Sequence, residues 1–158
     1  MKTPEAKDRL DAAPSLEPLK MDRGAPTEAE LLALAHFRSA LRKFLAFSER
    51  AASELGLTMQ WYQALLVIKT AGRKTPISVG ELAHQLMIRD HSAAELVSRL
   101  VDAKLVRRKV DLTDRRRSLI VLTPAGDRSL AKLAAAHLER LRANKDAFLN
   151  LFVLDSTE

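Results

Sequence analysis

Between Leu105 and Pro124 the chain breaks an otherwise helical pattern. Leu105-Val106-Arg107-Arg108-Lys109-Val110 has strand character. A polar stretch follows, Asp111-Leu112-Thr113-Asp114-Arg115-Arg116-Arg117, and then an apolar, partly β-branched run, Ser118-Leu119-Ile120-Val121-Leu122. Two strands around a basic loop of seven residues predict a hairpin with a protruding tip. Thr123-Pro124 then starts a helix, with Thr as N-cap and Pro at the first helical position. At 158 residues the chain amounts to about one domain. The fold class predicted is therefore mainly α with a small β-hairpin.

The helices announce themselves by their caps. Pro26 precedes Thr27-Glu28-Ala29-Glu30, a capping box with Thr27 as N-cap and Glu30 reaching back. Leu31, Leu34, Ala35, Leu41, Phe44, Leu45 and Ser48 continue at helical spacing, and Gly56 stops the helix near residue 55. A helix of that length spans roughly 40 Å, long for so small a domain. A second helix follows Thr58, with Trp61, Leu65 and Ile68 on one stripe and Gly72 as its stop. Arg73-Lys74-Thr75-Pro76 reads as a turn or a short extended piece. Ser78-Val79-Gly80-Glu81 is a second capping box and opens a short helix carrying Leu82, Ala83 and Leu86. Another helix covers about Asp90 to Lys104, capped by Asp90 or by Ser92 with Glu95 closing a third box. The last long helix, with Leu130, Leu133, Ala134, His137, Leu138 and Leu141, runs to about Lys145, and Phe148, Leu151 and Phe152 extend its amphipathic pattern. Residues 1–26 hold four prolines and no sustained apolar period; they read as a mobile N-terminal tail. Residues 27–158 read as a single domain.

Charge narrows the function. The net charge is +6, and residues 73–123 carry +5 of it. Lys104, Arg107, Arg108, Lys109, Arg115, Arg116 and Arg117 crowd into residues 104–117, the footprint of a polyanion partner or of a solvated basic face. The chain has no cysteine, which excludes a disulfide scaffold, a thiol nucleophile and a cysteine-held zinc. No apolar run approaches the roughly 18–20 residues that a membrane span needs, and MKTPEAKDRLDAAP has no apolar core of a secretory signal. The cytoplasm is the expected compartment, with no membrane partner. With five glycines and no phosphate loop or nucleophile–base constellation, the chain does not read as an enzyme.

Helix, short helix, helix, basic hairpin is the order of a winged helix-turn-helix. In the helix from Asp90, Ala93, Leu96, Val97 and Leu100 share a buried stripe. His91, Ala94, Glu95 and Ser98 point the opposite way, with Ser92 and Arg99 on the flanks. That outward face is short and polar, as entry into a DNA major groove about 12 Å wide requires. Asp90 lies at the helix start, among the candidate contacts. The free N–H groups beside Ser78 could hold a phosphate. Arg107 and Lys109 alternate to one face of their strand and could meet phosphates. The loop could place a guanidinium of Arg115, Arg116 or Arg117 in a minor groove, with Asp111 and Asp114 orienting it.

These residues resemble the MarR family of bacterial transcriptional regulators. The resemblance is carried by LAHQLMIRDHSAAELVSRLVDAKLVRRKVDLTDRRRSLIVLTPAG, Leu82 to Gly126, and by LGLTMQWYQALLVI, Leu55 to Ile68. The family's wing pattern is close to Asp-x-x-Asp-x-Arg, a strand, and Leu-Thr-x-x-Gly; here Asp111, Asp114, Arg115, Arg116, Leu122, Thr123 and Gly126 supply it. The resemblance implies a winged helix at about 57–123 and dimerisation helices at about 27–55 and 124–153. It assigns the minor-groove contact to Arg116 and the steadying acid to Asp114. Three positions depart from the family: Thr113, often charged there; Arg89, often an N-capping Asp or Ser; and Lys104, often a helix-ending Gly. The implied protein is a homodimeric, ligand-responsive repressor of a pseudo-palindromic operator in double-stranded DNA. No cofactor is expected beyond a small aromatic effector, for which His36, Trp61 and Tyr62 are the candidate pocket residues; ordinary core packing is the plainer account of each. His84, His91 and His137 lack the spacing of a zinc site. Met59 and Met87 read as gap-fillers in the core. The alternative function is a winged-helix adaptor whose basic hairpin meets an acidic protein.

Overall fold

The computed structural model describes residues 24–112, 114 and 118–153, with backbone alone for 150–153. Residues 1–23, the greater part of the tail read from the sequence, and Thr113, Arg115, Arg116 and Arg117 lie outside the described residues. Among the described residues, six helices and three strands follow in the order α1 (Glu28–Glu54), α2 (Met59–Ala71), β1 (Ile77–Ser78), α3 (Val79–Leu86), α4 (Asp90–Asp102), β2 (Val106–Val110), β3 (Ser118–Leu122), α5 (Pro124–Ala143) and α6 (Lys145–Val153).

Side-chain caps set most of the helix starts. Thr27 and Ser78 both form reciprocal capping boxes, with Glu30 and Glu81. Thr58 and Thr123 accept from Trp61 N and Gly126 N. At α4 the expected caps are wrong. The N-cap is Arg89, whose side chain makes no capping bond, and Asp90 and Ser92 both lie inside the first turn. The preceding turn explains the shift. Met87 N–H donates to His84 O and Ile88 N–H to Ala83 O, so α3 ends in a Schellman motif with Met87 left-handed at φ 54°. Ile88 packs against the core, which pins the next residue, Arg89, as the cap. Met87 is no gap-filler: it is 89% exposed, while Met59 does pack against the core.

The sheet holds one strand more than the hairpin read from the sequence. Its order is β1-β3-β2, all antiparallel. Ile77 pairs with Ile120 and Ser78 with Leu119, so the stretch after Pro76 returns as an edge strand before Ser78 caps α3. In the hairpin, Val106 faces Leu122, Arg108 faces Ile120 and Val110 faces Ser118. The core sits where the helices of this lobe meet the sheet, around the fully buried Leu65, Leu82, Val97, Leu100, Val106, Ile120 and Leu133. α5 and α6 each pack on α1 behind it.

The root of the hairpin is tightly drawn. α4 ends in a second Schellman motif, with Lys104 N–H to Val101 O at 2.8 Å and Leu105 N–H to Leu100 O at 2.9 Å. Thr123 then closes on the same spot: its N–H donates to Leu105 O at 3.0 Å and its hydroxyl lies 2.7 Å from Lys104 O. A Cβ at Gly126 would stand 2.0 Å from Leu105 O. The Thr-x-x-Gly spacing is thus physical: Thr caps α5 and ties it to the end of α4, and Gly lets α5 come that close. Lys104 takes the left-handed conformation at φ 58°, which a side chain opposes by about 1 kcal/mol. Two substitutions here should have opposite signs under chemical denaturation. Gly126→Ala should lower the unfolding free energy by about 1–3 kcal/mol through backbone overlap, and Lys104→Gly should raise it by about 1 kcal/mol by relieving the left-handed residue.

Candidate nucleic-acid interface and the platform behind it

The stripe that buries α4 also dictates what it leaves outside. Ala93, Leu96, Val97 and Leu100 are buried, so His91, Glu95, Ser98 and Arg99 are exposed, and Ser92 and Ala94 are half-buried between the two faces. Asp90, in the first turn, is exposed as well. Glu95 Oε2 stands 3.7 Å from Arg99 Nη2, an exposed i,i+4 pair worth a few tenths of a kcal/mol. Glu95 therefore closes no capping box. Ser78 is exposed to partners only in part. Its N–H and hydroxyl both meet Glu81 Oε2, at 2.7 Å each, so a carboxylate already occupies the start of α3.

β2 lies beside α4, and Arg107, Arg108, Lys109 and Val110 are all exposed. Alternation sets Arg107 and Lys109 on one face of the strand. Arg108 shares the other face with Val106 and Ile120, the face on which the helices pack. Its guanidinium therefore reaches over the edge of the core to α4, where Nη2 donates to Ser98 Oγ at 3.3 Å. Arg108 counts in the basic cluster read from the sequence but not among its expected contacts; strand alternation, which turns it away from Arg107 and Lys109, is the signal that could have sent it to α4. At the hairpin tip, Asp114 N–H donates to Asp111 Oδ1 at 3.3 Å, an Asx-type turn that shapes the loop. Leu112 is exposed.

Behind this lobe, α1, α5 and α6 form a platform. Phe148 of α6 meets Phe37 and Phe44 of α1 edge-on, at 5.9 and 6.4 Å between centroids. The first and last helices thus pack together within one chain. They still leave Leu31, Leu32, Leu34, Leu45, Leu138 and Leu149 exposed.

A family model described as "MarR family" matches residues 55–117. The Bacillus subtilis (strain 168) protein YcgE, described as an uncharacterized HTH-type transcriptional regulator, is 32% identical over 111 residues, 70% of each chain. The chain belongs to the MarR family. AbsC, a MarR family transcriptional regulator from Streptomyces coelicolor, superposes with a TM-score of 0.62 at 26% identity, covering 82% of this chain and 84% of its own. MepR, a transcription regulator of a Staphylococcus aureus multidrug efflux pump, shares the fold, with a TM-score of 0.68 at 19% identity over 84% and 98% of the two chains. The family consists of transcription regulators, not enzymes. Among the described residues of this MarR-family chain, no three His, Cys, Asp or Glu side chains are grouped to hold a metal, and no helix is long and apolar enough to cross a membrane.

The three expected pocket residues do not share a cavity. His36 is exposed on α1 and lines a cavity of about 250 Å³ together with Lys43, Phe44, Arg140, Asn144 and Phe148. Trp61 and Tyr62 lie elsewhere, against the core, because α2 turns that stripe inward. Tyr62 meets instead His137, which the sequence placed on the apolar stripe of the last long helix and as an unpromising metal ligand. Its ring stands edge-on to His137, 4.7 Å between centroids, and Phe44 and Phe47 flank the imidazole at 5.5 and 6.0 Å. Arg140 lies over the far ring, 5.2 Å from the Phe47 centroid. Burial raises the Tyr62 hydroxyl above its ordinary range and pushes the His137 imidazole below the ordinary histidine value. His137 Nε2 and Ser48 Oγ are both buried, with no hydrogen-bond partner among the described residues.

A histidine held neutral by burial binds fewer protons folded than unfolded. Stability should thus be level above about pH 6.5, the unfolded value. It should fall as pH drops from there toward the lowered folded value. Denaturation midpoints across pH 5–8 should show this slope, and His137→Gln should flatten it.

Proposed function

We propose that this chain is a sequence-specific DNA-binding regulator acting as a homodimer on a pseudo-palindromic operator, and a repressor released by a small aromatic effector. The observation that carries the reading is the pairing of two faces: the polar, exposed side of α4 beside the exposed basic residues of β2. An α4 with long apolar residues outward could not enter a major groove. Here Ser92, Ala94, Glu95, Ser98 and Arg99 are the groove-facing set, with Asp90 and His91 at its leading end. Arg107 and Lys109 meet phosphates, and Arg116 enters the minor groove, steadied by Asp114. A variant of MepR, alike in fold with a TM-score of 0.65 at 20% identity, is bound to an oligodeoxyribonucleotide.

Dimerisation is supported by the leucines that α1, α5 and α6 leave exposed. A run of large apolar side chains on a helical platform marks a protein contact. Two-fold pairing there would set two copies of α4 along one duplex, hence the near-palindrome. The effector reading is supported by the cavity beside His36, where Lys43 and Arg140 supply positive charge and Phe44 and Phe148 supply aromatic walls. An aromatic acid matches both.

The reading is tested by selecting duplexes from a random-sequence pool with the wild-type chain and titrating the winner across salt. Expected are an enriched, near-palindromic sequence, a solution mass of two chains, and an affinity that falls steeply with salt. Arg116→Ala should weaken binding by about 1–3 kcal/mol. Weak retention without enrichment would instead favour an adaptor that meets an acidic protein.

A further inference from the structure

The recognition helix and the hairpin would occupy neighbouring grooves, and any two neighbouring grooves of a duplex are separated by one sugar–phosphate strand. The seam between α4 and β2 is therefore where that strand must pass. One residue bridges the seam. Arg108, on β2, donates through Nη2 to Ser98 Oγ of α4 at 3.3 Å. Ser98 in turn donates its hydroxyl proton to Ala94 O at 3.0 Å.

A serine hydroxyl has one proton and two lone pairs. The Ser98 proton is engaged by Ala94 O and one lone pair by Arg108, so Ser98 could donate to a base edge only by giving up its bond to Ala94 O. Arg108 is the reverse case. A guanidinium has five N–H donors in a rigid fork, and the bond to Ser98 uses one. Among the described residues no carboxylate forms an ion pair with Arg108. Its remaining donors sit, oriented by Ser98, between the two DNA-facing elements.

We propose that Arg108 binds the phosphodiester strand crossing between the grooves, and that Ser98 is its positioning residue rather than a reader of bases. Arg108 thereby sets the spacing between recognition helix and wing as well as adding a phosphate contact. The proposal rests on the DNA reading of the preceding subsection. Lysine cannot replace the function in full, because its single ammonium cannot hold Ser98 and a phosphate in two fixed directions.

The test uses the duplex selected by the wild-type chain, with affinity read by fluorescence anisotropy over a range of NaCl, for wild type, Arg108→Ala, Arg108→Lys, Ser98→Ala and Ser98→Thr. Arg108 and Ser98 are exposed, and thermal unfolding of each variant checks that the fold is kept. Arg108→Ala should weaken every duplex about tenfold, the size of one charge-assisted hydrogen bond, and reduce the salt slope by about one. Arg108→Lys should keep the slope and lose affinity. Ser98→Ala should lose affinity with the slope and the selected sequence unchanged, and Ser98→Thr should restore it. Failure has two distinct forms. If the wild type binds and Arg108→Ala keeps its slope, or Ser98→Ala selects a different sequence, the proposal is overturned and the DNA reading stands. If the wild type enriches and retains no duplex, the DNA reading falls and takes this assignment with it.

Discussion

The carbonyl of Leu105 is the point on which the two halves of the molecule turn. It accepts the N–H of Thr123, lies 3.1 Å from the Thr123 hydroxyl, and is so close to Gly126 that no side chain fits between. Four elements converge there: the end of α4, the start of β2, the end of β3 and the start of α5. Because an unpaired buried carbonyl costs about 1–3 kcal/mol, none of the four can drift without exposing or orphaning it. The hairpin is thereby anchored at its root and left exposed toward its tip. The position of β2 beside α4, on which the whole nucleic-acid reading depends, follows from that one junction.

The exposed face of α4 has the same origin. Four small or branched apolar residues lock the helix against the core, and every residue it leaves exposed is polar. Burial and function are complementary here rather than competing, since the residues that stabilise the lobe are not those offered to a partner. The platform behaves differently. Its helices satisfy one another through Phe37, Phe44 and Phe148 yet leave leucines in water, a cost of about 25 cal/mol for each Å² of apolar surface that a second copy would cover.

How far the sequence could be read follows from the range of the interactions. Capping boxes at Thr27 and Ser78, the Thr123 cap and the stop at Gly56 act over a few residues, and their positions were legible. The stripe of α4 was legible because periodicity alone determines it. The cap at Arg89 was not, since a tertiary anchor, Ile88, overrode the local preference of Asp90 and Ser92. β1 is two residues long and exists only because β3 offers it an edge. The expected pocket trio is not brought together in the cavity that His36 lines, because Trp61 and Tyr62 pack toward the core, and the aromatic cluster at His137 gathers residues from α1, α2 and α5. The roles of Arg115, Arg116 and Arg117 rest on motif and charge, not on placement.

One element joins every part of this picture. α5 begins at the Leu105 junction, passes His137 about two-thirds of the way along, and reaches Arg140 at the cavity on the platform. Its 20 residues form a rod of roughly 30 Å, and a helix transmits a displacement along its axis with little loss because its own hydrogen bonds are stiffer than the contacts around it. Under the proposed effector reading, a ligand that draws Arg140 toward Lys43 would shift either the aromatic packing around His137 or the contact between Gly126 and Leu105. The second has no slack, so any movement of α5 at its start is also a movement of the hairpin root. Under the same reading the reverse would hold by linkage: a duplex that fixes the hairpin against α4 would also fix α5, and with it the shape of the cavity. Regulation by a small molecule would then need no hinge between the lobes, only a helix short enough to stay rigid and long enough to touch both ends.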